Sequence, residues 1–222
     1  MTEIKLIYVQ FPEPLETSIY QYYLEQLPKD LQSKNARYHR WQDRHLHLFG
    51  KILLIRLAIE FGIGSQVLSQ LAYTKHDRPY LEGEVDFNIS HTGTTVACAI
   101  TRGAKVGLDI ERFSEVEISD FGRIHNSEQW NQIKLAKDPQ KAFFDFWTVK
   151  ESVIKADGKG LSIPLDQILI DQNRAFQGNH QWYLQRLDLE DTMACCVASD
   201  QKEFKIITEK ISREQIYARN VC

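Results

Sequence analysis

The sequence predicts an α+β fold of two similar α/β halves, a pseudo-two-fold duplication in which each half packs a long helix on a small, mainly antiparallel sheet. Three observations carry that prediction. The order strand, helix, strands occurs twice along the 222 residues. Thr95-Val-Ala-Cys-Ala-Ile100 resembles Thr192-Met-Ala-Cys-Cys-Val197 at an offset of 97 residues. Gly62 and Gly64, after the first long helix, match Gly158 and Gly160 after the second at an offset of 96. The halves are expected at 1–103 and 104–222, meeting near Gly103.

Each element follows from local signals. Lys5–Phe11 reads as a strand ended by Pro12 and Pro14, and Thr17–Leu27 as a short helix. Asp43–Phe61 carries a helical repeat in which Leu46, Phe49, Leu53, Ile55, Leu57 and Ile59 are closely spaced, and Gly62 is placed to stop it. Leu71–Thr74, Val85–Ile89 and Thr95–Ile100 read as strands, Arg102-Gly103 as a turn, and Lys105–Glu111 as a further strand. Ser119–Ile124 and Ser127–Leu135 read as helical, and Pro139–Ala156 as the second long helix, stopped at Gly158. The remainder is mainly β, at Gln167–Asp171, Trp182–Leu187, Thr192–Ala198 and Phe204–Thr208.

Composition bounds the class. Apolar residues make up 43% and charged residues 26%, with 11 Gly and 6 Pro, which excludes collagen-like, low-complexity and disordered chains. A chain of this length buries roughly 70% of its unfolded surface. No run approaches the 18 or so apolar residues of a membrane helix, and the N-terminus lacks the basic and apolar regions of a signal peptide. Cys98, Cys195, Cys196 and Cys222 are too sparse for a disulfide scaffold. Three sit in apolar runs and read as small buried hydrophobes, with a vicinal redox pair at Cys195–Cys196 as the alternative. The expectation is a reduced, cytoplasmic protein that makes no membrane contact.

The net charge of −3 hides a contrast. Between Lys29 and Arg56 lie seven basic residues (Lys29, Lys34, Arg37, Arg40, Arg44, Lys51, Arg56) and two acids (Asp30, Asp43), with His39, His45 and His47 interleaved.

Three segments carry chemistry. In Val106-Gly-Leu-Asp-Ile-Glu-Arg112, strand alternation points Asp109 and Glu111 to one side. Paired carboxylates repel unless a cation or proton joins them, so they suggest an oxygen-ligated hard metal such as Mg²⁺; the plainer reading is a solvent-facing strand side. In Phe143-Phe-Asp-Phe-Trp-Thr-Val-Lys-Glu-Ser-Val-Ile-Lys155, Glu151 continues an aromatic stripe four residues after Trp147, and Lys155 follows one turn later. The plainer reading there is a surface ion pair contributing about 0.3–0.5 kcal/mol. In Asp86-Phe-Asn-Ile-Ser-His-Thr-Gly93, a strand runs into a turn able to offer hydroxyls, an imidazole and amides to an anion. Ser90-His91 could instead suggest nucleophilic catalysis, but strand neighbours face opposite ways and no Gly-x-Ser-x-Gly accompanies them.

Phe87-Asn-Ile-Ser-His91, Val106-Gly-Leu-Asp-Ile-Glu111 and Phe146-Trp-Thr-Val-Lys-Glu-Ser-Val-Ile-Lys155, with the trailing Gly158-Lys-Gly-Leu161, together resemble the 4′-phosphopantetheinyl transferases of the surfactin-synthetase-activating (Sfp) type. The resemblance is strong from about Arg37 to Leu161. It implies Mg²⁺-dependent transfer (Mn²⁺ as the substitute metal) of the phosphopantetheine arm of coenzyme A to a serine of an acyl or peptidyl carrier protein, releasing 3′,5′-ADP. It implies Asp109, Glu111 and Glu151 as metal ligands, and Glu111, Glu128, Glu151 and Lys155 as the catalytic set, with Glu128 or a metal-polarised water taking the serine proton. It implies that Lys34, Arg44, His47, Arg78, Ser90, His91, Lys150 and Lys155 contact the coenzyme. The N-terminal half would then grip the 3′-phosphate and adenine, the C-terminal half would carry the metal carboxylates and the catalytic helix, and one active site would lie between them in a monomer. The family often has Asp-Arg-x-Arg where this chain has Asp43-Arg-His-Leu46, so its second basic position is apolar here. The competing readings are another Mg²⁺-dependent pyrophosphate transferase or hydrolase and, outside enzymes, a nucleic-acid-binding module using segment 29–56. The chain lacks the basic pI and repeated stacking aromatics of the latter, so no nucleic-acid partner is expected.

Overall fold

The structure, a computed structural model, describes residues 1–219 and 221. Cys222 lies outside the described residues. Two sheets pack face to face, each with a long helix on its outer side. The first sheet has the order β11 (Phe204–Lys210), β1 (Thr2–Gln10), β5 (Thr95–Arg102), β4 (Val85–Thr92). The second runs β6 (Val106–Arg112), β10 (Met193–Ser199), β9 (His180–Arg186), β8 (Arg174–Gln177), β7 (Leu169–Asp171). A two-residue ribbon, β2 (Ala72–Tyr73) and β3 (Pro79–Tyr80), stands apart. The fold is α+β with mainly antiparallel pairing, as the sequence predicts; the parallel pair is β1 with β11.

Strand alternation sets the layers. On β1, Ile7 and Val9 face the helix α3 (Trp41–Glu60), packing with its Phe49, Ile52 and Leu53. Ile4, Leu6 and Tyr8 face the other way and join Ala97 and Ala99 against Val106, Leu108, Ile110, Cys195 and Val197 of the second sheet. The far face of the second sheet, including Cys196 and Ala198, packs under the helix α5 (Pro139–Asp157) through Val149, Val153 and Ala156. Successive strand residues point to opposite faces, so Cys195 and Cys196 lie in different layers, and both are buried free thiols. Burial drives the Cys195 and Cys98 thiols up, away from the thiolate. That favours the packing reading over the redox pair.

Both long helices end as expected: Gly62 and Gly158 have φ of 73° and 85°, the left-handed region that glycine enters without a Cβ clash. Asp138 caps the start of α5 by accepting from the Lys141 N–H at 3.0 Å, with Pro139 in the first turn. Other elements differ. The first helix, α1, is shorter (Thr17–Leu24), and Lys29–Ala36, which carried no expectation, forms α2. Residues 118–124 form a 3-10 turn ahead of α4 (Ser127–Leu135). A capping box at Ser212 and Gln215 starts the short α6 (Arg213–Tyr217).

The two sheets share a connection order. β1, α3, β4, β5 in the first corresponds to β6, α5, β9, β10 in the second, and the opening strand lies beside the last in each. β11 departs from this scheme: it belongs to the C-terminal stretch of the sequence but pairs with β1.

The edges of the sheets meet at a seam. β6 is an edge strand whose outward N–H groups need partners. Side chains of β4 supply them: Val106 N–H donates to Asp86 (2.9 Å), Leu108 to Asn88 (3.1 Å), Ile110 to Ser90 (3.3 Å) and Arg112 to Thr92 (3.0 Å). Polar side chains thus stand in for the carbonyls of a neighbouring strand.

Candidate active site

The site lies on this seam, under α5. Gly107 sets how closely α5 approaches β6: a Cβ there would sit 1.9 Å from the Ser152 carbonyl oxygen and 2.5 Å from the Ala156 nitrogen. The helix backbone therefore rests directly on the strand. Trp147, Glu151 and Lys155, spaced at i, i+4 and i+8, form one face of α5. That face meets Asp109 and Glu111 on the α5 side of β6. Lys155 Nζ donates to Asp109 Oδ1 at 2.5 Å, and Trp147 Nε1–H donates to Glu111 Oε1 at 3.3 Å. Glu151 lies on the turn between them and makes no side-chain hydrogen bond among the described residues.

The seam hydroxyls reach the same carboxylates. Ser90 Oγ–H donates to Asp109 (3.0 Å) and accepts from Lys155 Nζ (3.0 Å), while Thr92 Oγ1–H donates to Glu111 Oε2 (3.0 Å). Each hydroxyl therefore orients a carboxylate and holds the two sheets together.

Electrostatics marks the cluster as short of positive charge. Burial, then the Asp109 charge, then that of Glu111 push the Glu151 carboxyl up to about 7, against the pull of Lys155. Glu111 is raised by burial and by Asp109. Asp109 is raised by burial, with the Lys155 ammonium working against that push, and its Oδ2 is buried without a hydrogen-bond partner. Among the described residues no group of three or more His, Cys, Asp or Glu side chains is arranged as a ready metal site. Lys155 takes one oxygen of Asp109, and Trp147 and Thr92 hold both oxygens of Glu111. The donor chemistry still fits a hard cation: three carboxylates, one with an unsatisfied buried oxygen and one without a partner.

Beside the cluster, between α3 and β4, opens a cavity of about 350 Å³. Lys34, His47, Lys51 and His91 line it, with Leu46 and Asp43. Burial and then the charges of Lys51 and Lys34 press His47 down to about 4, so its imidazole is neutral at pH 7; Nδ1 meets Asn35 at 3.1 Å and Nε2 is unpartnered. His91 lines the cavity and follows directly after Ser90, whose hydroxyl touches Asp109.

The structure thus brings together Asp109, Glu111, Glu151, Lys155 and Ser90 in one group, and Lys34, His47 and His91 in the adjoining cavity. Four other residues stand elsewhere. Arg44 is exposed and donates from Nε to the Tyr38 carbonyl at 2.8 Å, outside the cavity lining. Arg78 is pinned under Gly158, with Nη2 donating to both Asp86 oxygens at 2.9 Å and to the Val106 carbonyl at 3.3 Å, so its charge serves the seam. Lys150 is fully buried, and its ammonium donates to the carbonyls of Ile124 (2.6 Å) and Leu165 (2.9 Å). One residue from Glu151 is about 100° around the helix, which turns Lys150 into the core. Glu128, on α4, opens onto a separate surface cavity with Phe146 and Arg186 and touches none of the carboxylates. Sequence reasoning missed Lys51 as a cavity residue, although its spacing of four from His47 puts both on one helix face. It also missed the oriented Trp147 and Thr92.

Fold and site together define an α+β protein with a carboxylate–lysine centre beside a cavity lined by Lys34 and Lys51. Comparison with known proteins narrows this class. Residues 105–204 match the family model of the 4′-phosphopantetheinyl transferase superfamily. The chain is 32% identical over 176 residues to the 4′-phosphopantetheinyl transferase gsp of Aneurinibacillus migulanus, covering 77% of this chain and 73% of that protein. It is 28% identical over 173 residues to the 4′-phosphopantetheinyl transferase Sfp of Bacillus subtilis (strain 168), covering 75% and 76%. It is 31% identical over 154 residues to a putative 4′-phosphopantetheinyl transferase of Haemophilus influenzae, covering 62% and 64%. The chain belongs to the 4′-phosphopantetheinyl transferase superfamily and is an enzyme of that type. No helix among the described residues is long and apolar enough to cross a membrane.

Proposed function

We propose that the enzyme transfers the 4′-phosphopantetheine arm of coenzyme A to a serine of an acyl or peptidyl carrier protein and releases 3′,5′-ADP, at one site between the two halves. The observation that supports this most is the docking of Trp147, Glu151 and Lys155 on Asp109 and Glu111 beside a lysine-lined cavity. The serine Oγ bonds to the β-phosphorus of the coenzyme's pyrophosphate, and the bond from that phosphorus to the bridging oxygen breaks. The bridging oxygen leaves on the 5′-phosphate of 3′,5′-ADP. Lys155 Nζ meets the charge on that leaving oxygen. The serine proton passes to Glu151, the one carboxylate of the cluster without a hydrogen-bond donor of its own among the described residues; Glu128, on α4, lines a different cavity. Asp109, Glu111 and Glu151 are the residues that would hold Mg²⁺, with Mn²⁺ as substitute, and the metal when bound supplies charge neutralisation at the pyrophosphate. Trp147 and Thr92 fix Glu111, and Ser90 fixes Asp109.

Buried free thiols suit a reducing cytoplasm, and fusion of two halves in one chain suits a monomer. The test is to incubate the protein with coenzyme A and apo carrier proteins of fatty-acid, polyketide and nonribosomal-peptide synthesis, with Mg²⁺ or with chelator. The expected result is a phosphopantetheine mass gain on at least one carrier, 3′,5′-ADP in solution, and loss of both with chelator. Consumption of coenzyme A without a mass gain on any carrier would establish a hydrolase instead and overturn the reading.

A further inference from the structure

Between β6 and α4, residues 113–126 pack on an aromatic cluster and hold a histidine that packing alone does not explain. His125 is 5% exposed and stacked on the Trp130 ring, with centroids 6.0 Å apart and 14° between the planes. Phe143 and Phe146 meet it edge-on at 6.0 and 6.1 Å. A neutral imidazole carries one N–H donor and one bare acceptor. Among the described residues neither ring nitrogen has a hydrogen-bond partner. Phenylalanine would fill the same place without leaving two buried polar atoms unpaired. Four residues on, the side-chain oxygen of Gln129 is buried and unpartnered too.

The segment is also lightly fastened. Phe113 N–H donates to the Thr192 carbonyl at 2.9 Å, at the end of β6. Beyond it, two hydrogen bonds join residues 114–125 to the rest of the described protein. Gln140 Nε2 donates to the Val116 carbonyl (2.7 Å) and Lys150 Nζ to the Ile124 carbonyl (2.6 Å). The 3-10 turn at 118–124 has no fully buried residue. A stretch with few hydrogen bonds and little buried surface opens locally, without unfolding the whole. The charges around His125 add to this. Lys150, on α5, acts on the ring with its own positive charge, and no carboxylate does so. Asp120 and Arg123 on the segment, Glu128 and Lys134 on α4, and Asp166 on the turn before β7 are all exposed; Lys134 stands over the Trp130 ring at 6.0 Å.

We propose that residues 113–126 are a flap that closes on α5 while His125 is neutral and is released when His125 takes a proton. Protonation puts a second cation near Lys150, in an apolar cluster with no acceptor for either ring N–H, and water outside the cluster solvates it better. Release withdraws Phe121 from Trp147, which it meets edge-on at 6.0 Å, and the Trp147 indole orients Glu111. The flap thereby couples acid to the active site. This is a property of the fold, independent of the transfer reading above.

Hydrogen exchange on the full chain, read by mass spectrometry and corrected for the intrinsic effect of pH on exchange, tests the proposal. Burial and then Lys150 hold His125 down to about 4 from the ordinary 6.5, so the closed flap has full stability above about pH 6.5 and loses it as pH falls toward 4. From pH 7.5 to 5, protection of peptides within 113–130 should fall about ten- to thirtyfold, with α3 and β5 unchanged. His125→Phe, which keeps a ring and removes the titration, should show the same protection at both pH values. Unchanged protection in the wild type, an equal loss in His125→Phe, or a loss shared by α3 and β5 overturns the proposal. If His125→Phe fails to fold, titration of the wild-type imidazole by NMR replaces it: His125 should titrate below about 5, and a value near the ordinary 6.5 overturns the proposal.

Discussion

Replacing Gly107 by alanine tests whether the contact between α5 and β6 creates the active site. The new Cβ would stand 1.9 Å from the Ser152 carbonyl oxygen, against an ordinary closest carbon–oxygen approach of about 3.3 Å. The obstructing atoms are backbone, so no side chain can turn aside, and α5 must retreat by roughly 1.4 Å. Ser152 and Ala156 each follow directly after a functional residue, so the retreat carries Glu151 and Lys155 with it. The 2.5 Å contact from Lys155 to Asp109 then opens to about 3.9 Å, beyond hydrogen-bonding range. Overpacking of this kind costs about 1–3 kcal/mol, which for a chain of this size lowers Tm by roughly 2–12 °C. A displacement of about 1 Å in a reacting group costs on the order of a hundredfold in rate. Gly107→Ala should therefore fold with reduced Tm, and its rate of carrier modification, followed by mass spectrometry at saturating coenzyme A, should drop about a hundredfold. A variant with wild-type Tm and a rate within threefold of wild type would refute the reasoning.

Three other perturbations follow from the geometry. Glu151→Gln should cut transfer at least about a hundredfold and Glu128→Gln should stay within about threefold; the reverse pattern would return the base to α4. Arg78→Met strands Asp86 as a buried charge and should cost about 3–5 kcal/mol in urea unfolding; a loss under 1 kcal/mol would remove Arg78 from the seam. Burial lowers Lys150 to about 8 from an ordinary 10.5, so between those pH values the unfolded chain binds the extra proton and the folded protein gains stability as pH rises. Relative to Lys150→Met, the wild type should gain up to about 3 kcal/mol from pH 8 to 10.5, and a flat difference would show that the ammonium is not desolvated as the structure has it.

The parts of the site that the sequence reveals are those governed by a single element's period. Alternation on β6 pairs Asp109 with Glu111, and the four-residue spacing on α5 aligns Trp147, Glu151 and Lys155, whatever lies opposite. What the sequence conceals depends on contacts between distant segments. Asp86, Asn88, Ser90 and Thr92 alternate with Phe87 and Ile89 in a pattern identical to that of a solvent-facing strand; only the unpaired edge of β6 makes them a seam. Lys150 and Glu151 are adjacent charges, and nothing local says that one is buried under Ile124 and Leu165 while the other faces the carboxylates. Phe204–Thr208 reads correctly as a strand, but its pairing with β1 across some 200 residues is a choice that local pattern does not encode.

That pairing bears on how the chain is made. During synthesis β1 emerges first, and β4, β5 and α3 can join it once about 100 residues have left the ribosome, but one edge of β1 stays bare until β11 follows about 100 residues later. At 5–20 residues per second the interval is roughly 5–20 s, long enough for an exposed strand edge to meet another nascent chain. β11 thus seals a sheet whose other strands were made about 100 residues earlier, and a polypeptide halted before Phe204 leaves that older sheet, not the newer one, unfinished.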